Sequence, residues 1–308
     1  MGRRKSGDAV SGWVIVDKPV GPGSTQVVAM IRRLYNAQKA GHAGTLDPLA
    51  SGILPVALGE ATKTVPFIID ATKGYRFTVV FGASTTTDDL EGTVDATSTH
   101  RPTREEVETA LATFTGEIMQ RPPAYSAIKV DGQRAYDLAR AGEIVELKTR
   151  AVTIHNAKLI SMADADHAEI EISCSKGTYV RALARDLALK LGTVGHVCAL
   201  RRIVHGPFRE EAAIPLDKLM GLGHIPPASD TVWTHLKPLE TALDDIPVHA
   251  LSADDAARLR QGQGVLLRGR DAPIYAGPVL ATHGGDPVAL TEYQAGELRP
   301  VRVFNLRS

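Results

Sequence analysis

Two neighbouring runs of the chain alternate apolar and polar residues, AVTIHNAKLISM (151–162) and AEIEISCS (168–175). This period of two is typical of antiparallel strands that are paired and have one buried face. GWVIVDK (12–18) and YRFTVVFG (75–82) have the apolar content of further strands. Helical patterns occur between such runs, but without the strict strand–helix alternation of a doubly wound fold. We therefore predict an α+β fold with a mixed, mostly antiparallel sheet flanked by helices.

The helical segments carry recognisable boundary signals. Ser24 or Thr25 is suited to cap a helix with an apolar face. A second helix is predicted over AYDLARAG, ending at Gly142, and a third over YVRALARDLALKLG (179–192). The segment 39–55, which follows the first of these helices, is rich in glycine and proline. It is therefore predicted to be a loop or a set of tight turns.

The C-terminal part of the chain has a different texture. After a short capped helix, SADDAARLRQGQG, come the short apolar runs VLLRGR, PVLATHG, PVALTEY and PVRVF, separated by glycines. This pattern is typical of a small β-barrel-like module. We predict a catalytic domain over 10–245 and a small β-rich domain over 246–308.

Charge is distributed unevenly along a chain whose formal net charge is +0. Residues 172–209 hold seven Lys or Arg and one acid, and residues 1–40 hold seven basic and two acidic residues. The acidic segment 84–117, with eight acidic and two basic residues, offsets part of this positive charge. Two basic segments can line a groove for phosphates, although solvated helix faces paired with acids give the same pattern. Charge alone therefore does not identify a nucleic-acid partner.

Several protein classes are disfavoured by motifs that the sequence lacks. The two cysteines, Cys174 and Cys198, form no CxxC motif, so neither a zinc site nor a redox pair is predicted. HExxH, GxGxxG and GxxxxGK[ST] motifs are also missing. The N-terminus has no apolar signal-peptide core, and no apolar run approaches the ~18–20 residues of a membrane span. We predict a cytoplasmic protein that needs no cofactor, metal or membrane.

One segment, GHAGTLDPLASGILPVALGEATK (41–63), carries the strongest candidate for chemistry. The glycines around His42 allow a backbone that turns sharply and approaches a ligand closely. Asp47 directly before Pro48 is by itself a common turn-forming residue. The same carboxylate can also serve as a nucleophile or a base at a sugar or a base ring. The neighbouring motifs decide between these interpretations.

The other motifs occur in the order VDKPVGPGS (16–24), GYRF (74–77), RPPAYSAIKVDGQRAYDLARAG (121–142), CSKGTYVRALARDL (174–187) and HVCALRRIVHGPF (196–208). With 41–63 they resemble the TruB type of tRNA pseudouridine-55 synthases, a family that includes catalytic subunits of guide-RNA-dependent synthases. The resemblance is strong over about 1–210 and weak over 245–308, where the family often carries a PUA-type RNA-binding module. Thr86 departs from the family pattern where an aspartate is common, while Asp89 keeps the last aspartate.

The resemblance implies roles for three residues. Asp47 is the catalytic carboxylate, and Arg181 pairs with it through a planar guanidinium fork that suits a carboxylate. Tyr75 lies beneath the target uracil, where its ring stacks on the base. Attack at C1′ of the ribose, addition at C6 of the base and removal of a sugar proton would each use a carboxylate. The structural alternatives are a surface arginine at a helix start and a tyrosine in core packing.

Further residues are expected to bind the RNA or to support the site. By resemblance, His42 inserts into the T-loop in place of flipped bases, Leu200 lies against the target base, and Lys18 supports the active-site loop. A structural histidine and a core leucine are the alternatives for His42 and Leu200. The candidates for phosphate contacts are Lys63, Lys176, Arg201 and Arg202.

We therefore predict an enzyme that isomerises uridine 55 in the T-loop of tRNA, as a monomer that flips its target base. No cofactor is expected, because pseudouridine formation needs no electron transfer, nucleotide energy or metal. One alternative is a guide-RNA-dependent subunit, disfavoured because the chain ends at VFNLRS without a basic extension. Another is an RNA-binding or RNA-folding module, disfavoured by the presence of Asp47, Tyr75 and Arg181 together.

Overall fold

The computed structural model of the protein describes residues 7–126, 128–130, 133–135, 147–222, 231–269 and 272–306. Its strands are β1 (Gly12–Lys18), β2 (Ala40–His42), β3 (Ala50–Leu58), β4 (Lys73–Phe81), β5 (Ala83–Thr85), β6 (Val94–Thr97), β7 (Gly116–Gln120), β8 (Lys129–Val130), β9 (Gln133–Arg134), β10 (Arg150–Met162), β11 (His167–Cys174), β12 (Gly195–His205), β13 (Phe208–Arg209), β14 (Ile214–Pro215), β15 (Val248–Ala250), β16 (Val265–Leu266), β17 (Pro278–His283), β18 (Asp286–Gln294) and β19 (Glu297–Val303).

The described α-helices are α1 (Ser24–Leu34), α2 (Val65–Ile69), α3 (Arg104–Ala112), α4 (Val180–Lys190), α5 (Leu216–Gly221) and α6 (Ala253–Arg260). Short 3-10 helices cover Gly59–Lys63, Glu210–Ala212, Val232–His235 and Leu239–Leu243.

The central feature is a ten-stranded sheet in the order β14-β1-β3-β12-β4-β11-β10-β7, with β2 beside β3 and β13 beside β12. Most neighbours are antiparallel, including the predicted pair β10–β11. Two pairs are parallel, β1–β14 and β3–β12. The mixed, mostly antiparallel α+β architecture predicted from the sequence is thus confirmed.

Helices cover one face of this sheet in two groups, because each has an apolar stripe that must be buried. Helix α1 buries Val27 and Ile31 against β1 and β3. Helices α3 and α4 pack on β4, β10, β11 and β12, with Leu183 and Leu187 of α4 fully buried. Successive side chains of β1 point to opposite faces of the sheet. Val14 therefore packs against α1, and the neighbouring Trp13 packs in a separate cluster on the other face.

The C-terminal part is a β-rich domain with a five-stranded sheet in the order β15-β17-β18-β19-β16. Helix α6 closes its core, and Ser252 caps this helix by accepting from the backbone N–H of Asp255. Leu290 and Phe304 of this domain join Trp13 of the large sheet in one apolar cluster. None of the helices in the described part of the chain combines the length and the hydrophobicity that crossing a bilayer requires.

Two local predictions were wrong. The segment predicted to be a loop over 39–55 holds β2 and the first half of the central strand β3. Ser24 does not cap α1, because the Ser24 hydroxyl is hydrogen-bonded to the backbone of Leu46. The N-cap of this helix is Gly23. The helix predicted to end at Gly142 lies outside the described residues.

Candidate active site

Asp47 lies in the short loop between β2 and β3, and this loop is tied to the start of α1. The Ser24 hydroxyl donates to the carbonyl of Leu46 and accepts from its N–H, each at 2.8 Å. The N–H of Gly21 donates to the carbonyl of Pro48 at 2.9 Å. These contacts lie on both sides of Asp47, so its backbone position is fixed by residues from the preceding turn and helix.

Lys18 lies beneath the same loop and is fully buried. Its Nζ donates to the carbonyls of Pro19 at 2.8 Å, Pro22 at 2.9 Å and Pro48 at 3.4 Å. Burial lowers the pKa of Lys18 to about 8, and the nearby Asp47 carboxylate works against that shift. This placement agrees with a supporting role for Lys18 in the loop.

The side chains of Asp47 and Arg181 form an ion pair. Arg181 Nη2 lies 2.9 Å from Asp47 Oδ2, and Arg181 Nη1 lies 3.1 Å from Asp89 Oδ2. Arg181 also donates to the carbonyls of Thr87 at 3.0 Å and Tyr125 at 2.9 Å. Each side of the guanidinium is therefore held, and its fork can aim the Asp47 carboxylate.

Asp89 is a member of this network whose role in the site was not predicted from the sequence. It is buried, and its carboxylate also accepts from the Thr87 hydroxyl and from the N–H of Glu91 at 2.9 Å. Asp89 matches the last aspartate of the family pattern from which Thr86 departs. This match was the sequence signal that could have indicated the role of Asp89.

A cleft of about 570 Å³ opens in front of Asp47, within the range of pockets that bind small molecules. The lining residues come from the Asp47 loop and the start of β3, from the end of α2, from β4, β10 and β12, and from the segment between β11 and α4 together with the start of α4. They are Gly44, Thr45, Leu46, Asp47, Ala50, Ile69, Lys73, Tyr75, Arg150, Ala151, Val152, Ser175, Lys176, Gly177, Thr178, Tyr179, Val180, Arg181, Leu200 and Arg202.

The parallel pairing of β3 with β12 places Leu200 opposite Ala50, directly after the Asp47 loop. Leu200 and Tyr75 are both half-buried and both line the cleft. Burial raises the pKa of the Tyr75 hydroxyl, and the adjacent Arg202 guanidinium works against this shift. The structure thus brings Tyr75, Leu200, Asp47 and Arg181 to one cleft.

Arg202 is placed differently from the surface phosphate contact that was expected. Its side chain is 1% exposed, and it donates to the carbonyls of Ile53 at 2.8 Å and Gly44 at 3.1 Å. A guanidinium engaged in this way supports the Asp47 loop from below. Its burial is the physical reason why the phosphate role does not fit Arg202.

Lys73 is a further cleft residue that was not predicted from the sequence. It is 6% exposed, and its Nζ donates to the carbonyls of Ile69 and Ala71 at the end of α2. Burial lowers the pKa of Lys73 to about 8, and Arg202 contributes in the same direction. The sequence signal for Lys73 was its position directly before the GYRF segment.

His42 ends β2 and is not among the residues that line the cleft. Burial lowers its pKa, and Arg202 adds to this effect, so the imidazole is neutral near pH 7. Its Nδ1 is buried. A neutral imidazole ring can stack on a base.

The three remaining basic candidates lie in separate places. Lys176 lines the cleft and pairs with Asp70 at 2.7 Å, where both side chains are exposed. Arg201 points away from the cleft and holds Asp17 at 2.8 and 2.9 Å. Lys63, at the end of the 3-10 helix that follows β3, donates to the carbonyl of Val303 in β19 at 2.7 Å and so links this helix to the C-terminal sheet. Of these three, the structure therefore brings only Lys176 to the cleft.

No group of three or more His, Cys, Asp or Glu side chains that could hold a metal ion occurs within the described ranges. The charged side chains that line the cleft are the carboxylate of Asp47 and five cations, Lys73, Arg150, Lys176, Arg181 and Arg202. This arrangement suits a substrate with negative charge and a reaction that uses a carboxylate.

Two family models match the chain. TruB family pseudouridylate synthase (N terminal domain) matches residues 32–180, and tRNA pseudouridylate synthase B C-terminal domain matches residues 181–244. The first range includes Asp47 and Tyr75, and the second includes Arg181 and Leu200.

Similar proteins match over nearly the whole chain. A tRNA pseudouridine synthase B of Bradyrhizobium diazoefficiens is 58% identical over 298 residues, covering 96% of this chain and 86% of that protein. A tRNA pseudouridine synthase B of Caulobacter sp. (strain K31) is 55% identical over 313 residues, covering 99% and 100%. A crystal structure of a Cbf5-Nop10-Gar1 complex matches with a TM-score of 0.72 at 26% identity, over 96% of this chain and 84% of that chain.

Proposed function

Because this chain belongs to the TruB family of pseudouridylate synthases, we propose that it isomerises uridine 55 in the T-loop of tRNA with Asp47 as its catalytic carboxylate. The enzyme is an isomerase of this family, and its relatives support tRNA as the substrate. The observation that carries the assignment of Asp47 is its 2.9 Å ion pair with the buried Arg181 at the wall of the cleft.

The reaction exchanges one bond to the ribose for another. The bond from N1 of uracil to C1′ breaks, the base turns, and C5 bonds to C1′. The proton on C5 is lost, and N1 gains one, so no oxidant, reductant or energy donor is consumed. Asp47 supplies the carboxylate that the rearrangement needs, and Arg181 holds its Oδ2 in a fixed direction.

The cleft explains why the target base has to leave the RNA stack. Asp47 faces a cleft that Tyr75 and Leu200 also line, and a base that stays stacked in RNA does not present its reacting atoms to such a site. Flipping a base costs a few kcal/mol of unstacking. Stacking on Tyr75 offsets part of this cost. We place His42 against the T-loop, where its ring fills the space that the flipped bases leave.

The C-terminal β-rich domain extends the RNA-binding surface beyond the cleft. We propose a catalytic domain over 10–245 and a PUA-like RNA-binding domain over 246–308, with their cores joined at Trp13, Leu290 and Phe304. Lys176 at the cleft rim is the phosphate contact that the geometry favours. The enzyme works as a cytoplasmic monomer without a cofactor or metal ion.

A second candidate is a guide-RNA-dependent synthase, because the family that the motifs resemble includes such catalytic subunits and the chain is also similar to one in a Cbf5-Nop10-Gar1 complex. The identity of 26% to that chain is far below the 58% to the Bradyrhizobium tRNA pseudouridine synthase B. The stand-alone reaction on tRNA is therefore the preferred proposal.

The test uses an unmodified tRNA transcript, chelator throughout, and no guide RNA. Pseudouridine is mapped by carbodiimide labelling and primer extension. We expect a single stop at the T-loop uridine, and no stop in a matched transcript with cytidine at that position. Product that forms only after cellular RNA is added would instead support the guide-dependent enzyme.

A further inference from the structure

Helix α4 carries a second arginine, Arg185, one turn after Arg181 and on the same side of the helix. Arg185 Nη1 lies 2.9 Å from Asp88 Oδ2, next to the Asp89 that Arg181 holds. Arg185 Nη2 donates to the carbonyl of Arg121 at 2.8 Å. Its Nε pairs with Asp186 at 3.0 Å, so the guanidinium has a partner on every side.

The two arginines repeat one pattern of contacts. Each binds one carboxylate of the turn at Asp88 and Asp89, and each donates to one carbonyl of the segment 121–125. Two neighbouring guanidinium groups therefore fasten the same turn and the same segment to one helix. Arg181 alone continues to the cleft, where it meets Asp47.

The turn is largely buried and is held in position by these contacts. Asp88 has φ of 59°, in the left-handed region that few non-glycine residues occupy. Its carbonyl accepts from the N–H of Val197 at 3.0 Å. Burial raises the pKa of the Asp88 carboxyl, and Arg185 is the strongest influence against that shift. Arg181 acts in the same direction but more weakly, so loss of Arg185 leaves this buried carboxylate poorly compensated.

The segment 121–125 is attached at a third point. The side chain of Gln120, which is fully buried, donates to the carbonyl of Tyr179 at 3.0 Å and accepts from its N–H at 2.8 Å. Tyr179 is the N-cap of α4 and also lines the cleft. The segment is thus fixed to the helix at its start by Gln120 and Arg185, and at its end by Arg181.

We propose that Arg185 is a positioning residue for pseudouridine formation, which acts through Asp88 and the carbonyl of Arg121 to set the direction in which Arg181 holds Asp47. Arg185 does not line the cleft, so it does not touch the uridine. The proposal rests on the proposed catalytic role of Asp47.

The expected consequence is a loss of rate without a loss of binding. In Arg185→Ala the turn and the segment 121–125 each lose one of their attachments to α4. Arg181 then loses the fixed positions of Asp89 and of the Tyr125 carbonyl. A misplacement of about 1 Å at a reacting group is enough to lower a rate on the order of 100-fold.

The experiment measures single-turnover product formation at saturating enzyme, together with tRNA affinity and the thermal unfolding midpoint. The full-length variants are Arg185→Ala, Asp88→Asn, the double variant Arg185→Ala/Asp88→Asn, and Asp47→Asn. The matched control is Arg104→Ala, which breaks an exposed arginine–glutamate pair on α3. Asparagine tolerates the left-handed backbone at position 88 and leaves no unpaired charge there.

We expect Arg185→Ala to lower the rate on the order of 10- to 100-fold with unchanged affinity, while Arg104→Ala keeps the wild-type rate. The double variant recovers the unfolding midpoint but not the rate, because the Arg121 carbonyl stays unattached. A purely structural role predicts that rate and midpoint recover together, and this result would overturn the proposal. If Arg185→Ala alone does not fold, the rate and the unfolding midpoint of the double variant still distinguish the positioning role from a purely structural one.

The series separates failure of this proposal from failure of the proposed function. If Asp47→Asn is inactive while Arg185→Ala and the double variant keep the wild-type rate, only the positioning role of Arg185 is overturned. Fully active Asp47→Asn overturns the catalytic role of Asp47 and, with it, the role of Arg185.

Discussion

Arg181 Nη2 lies 2.9 Å from Asp47 Oδ2, and the two side chains differ in exposure, 7% for the arginine and 44% for the aspartate. The buried partner is fixed from behind by Asp89 and by the carbonyls of Thr87 and Tyr125. The exposed partner faces the cleft. The direction of the carboxylate is therefore set by Arg181, whose other partners, Thr87, Asp89 and Tyr125, do not line the cleft.

Arg181→Lys tests the need for the guanidinium fork. A single ammonium group cannot contact both Asp47 and Asp89 in the geometry of the arginine. We expect the single-turnover rate to fall on the order of 100-fold, with tRNA affinity nearly unchanged. Arg104→Lys on the exposed face of α3 is the control. A wild-type rate for Arg181→Lys would show that positive charge alone is sufficient.

Lys18→Met tests the buried lysine under the catalytic loop through its pH dependence. The pKa of Lys18 is about 8 in the folded protein, against 10.5 for a free lysine. Between these values the unfolded chain binds more protons, so the contribution of Lys18 to the free energy of unfolding rises with pH. Urea unfolding should show the wild type gaining stability relative to Lys18→Met from pH 8 towards 10.5.

The control for this measurement is Lys39→Met, which removes an exposed lysine. It shows how much of any change with pH comes from removing an exposed positive charge. A difference between the wild type and Lys18→Met that stays constant with pH would contradict the desolvation of Lys18.

Lys63→Met distinguishes an anchor to the C-terminal sheet from a phosphate contact. Lys63 Nζ bonds to Glu60 and to the carbonyl of Val303, and the N–H of Asn305 donates to the same Glu60 at 2.7 Å. We expect a loss of about 1–3 kcal/mol in the free energy of unfolding. The slope of log affinity against log salt should be unchanged, whereas loss of a phosphate contact would reduce it by about 1.

Gly52→Ala tests the close approach of β3 to β12. Gly52 has φ of 99°, and a Cβ there would collide with the backbone oxygen of Arg202. The left-handed backbone alone costs roughly 1–2 kcal/mol, and the collision adds to it. We expect a clear drop in the thermal unfolding midpoint. Gly41→Ala, where a Cβ meets nothing within 4 Å, should behave like the wild type.

Much of the fold follows from residue patterns that are local. The alternating runs of β10 and β11 predict both the strands and their pairing, because a period of two matches the alternation of side chains across a half-buried sheet. The central strand β3 was missed for the opposite reason. It is buried on both faces and carries Gly52 and Pro55, so its sequence has the composition of a loop.

The candidate site was predictable to the extent that motifs identify residues. Asp47, Tyr75, Leu200 and Arg181 line one cleft although they lie far apart in sequence. Which of the adjacent Arg201 and Arg202 is buried was not predictable. Successive side chains of a strand point to opposite faces, so one arginine is buried and the other is not, although their chemistry is the same. Only the register of β12 against β3 and β4 decides that Arg202 is the buried one.

Lys63 shows a second limit of sequence reasoning. Its partner, the carbonyl of Val303, is 240 residues away and belongs to the C-terminal sheet. A lysine that binds a distant carbonyl and a lysine that binds phosphate have the same local sequence requirements. Three-dimensional contact is therefore needed to tell the two apart.

The most direct test of Asp47 follows the hydrogen on C5 of the target uridine. That hydrogen is released when C5 bonds to C1′, so a tRNA transcript tritiated at C5 of uridine reports each turnover. With excess enzyme, the wild type should release tritium equivalent to a single uridine per tRNA. Asp47→Asn should bind the transcript equally well and release none. Release by Asp47→Asn at the wild-type rate would contradict the account.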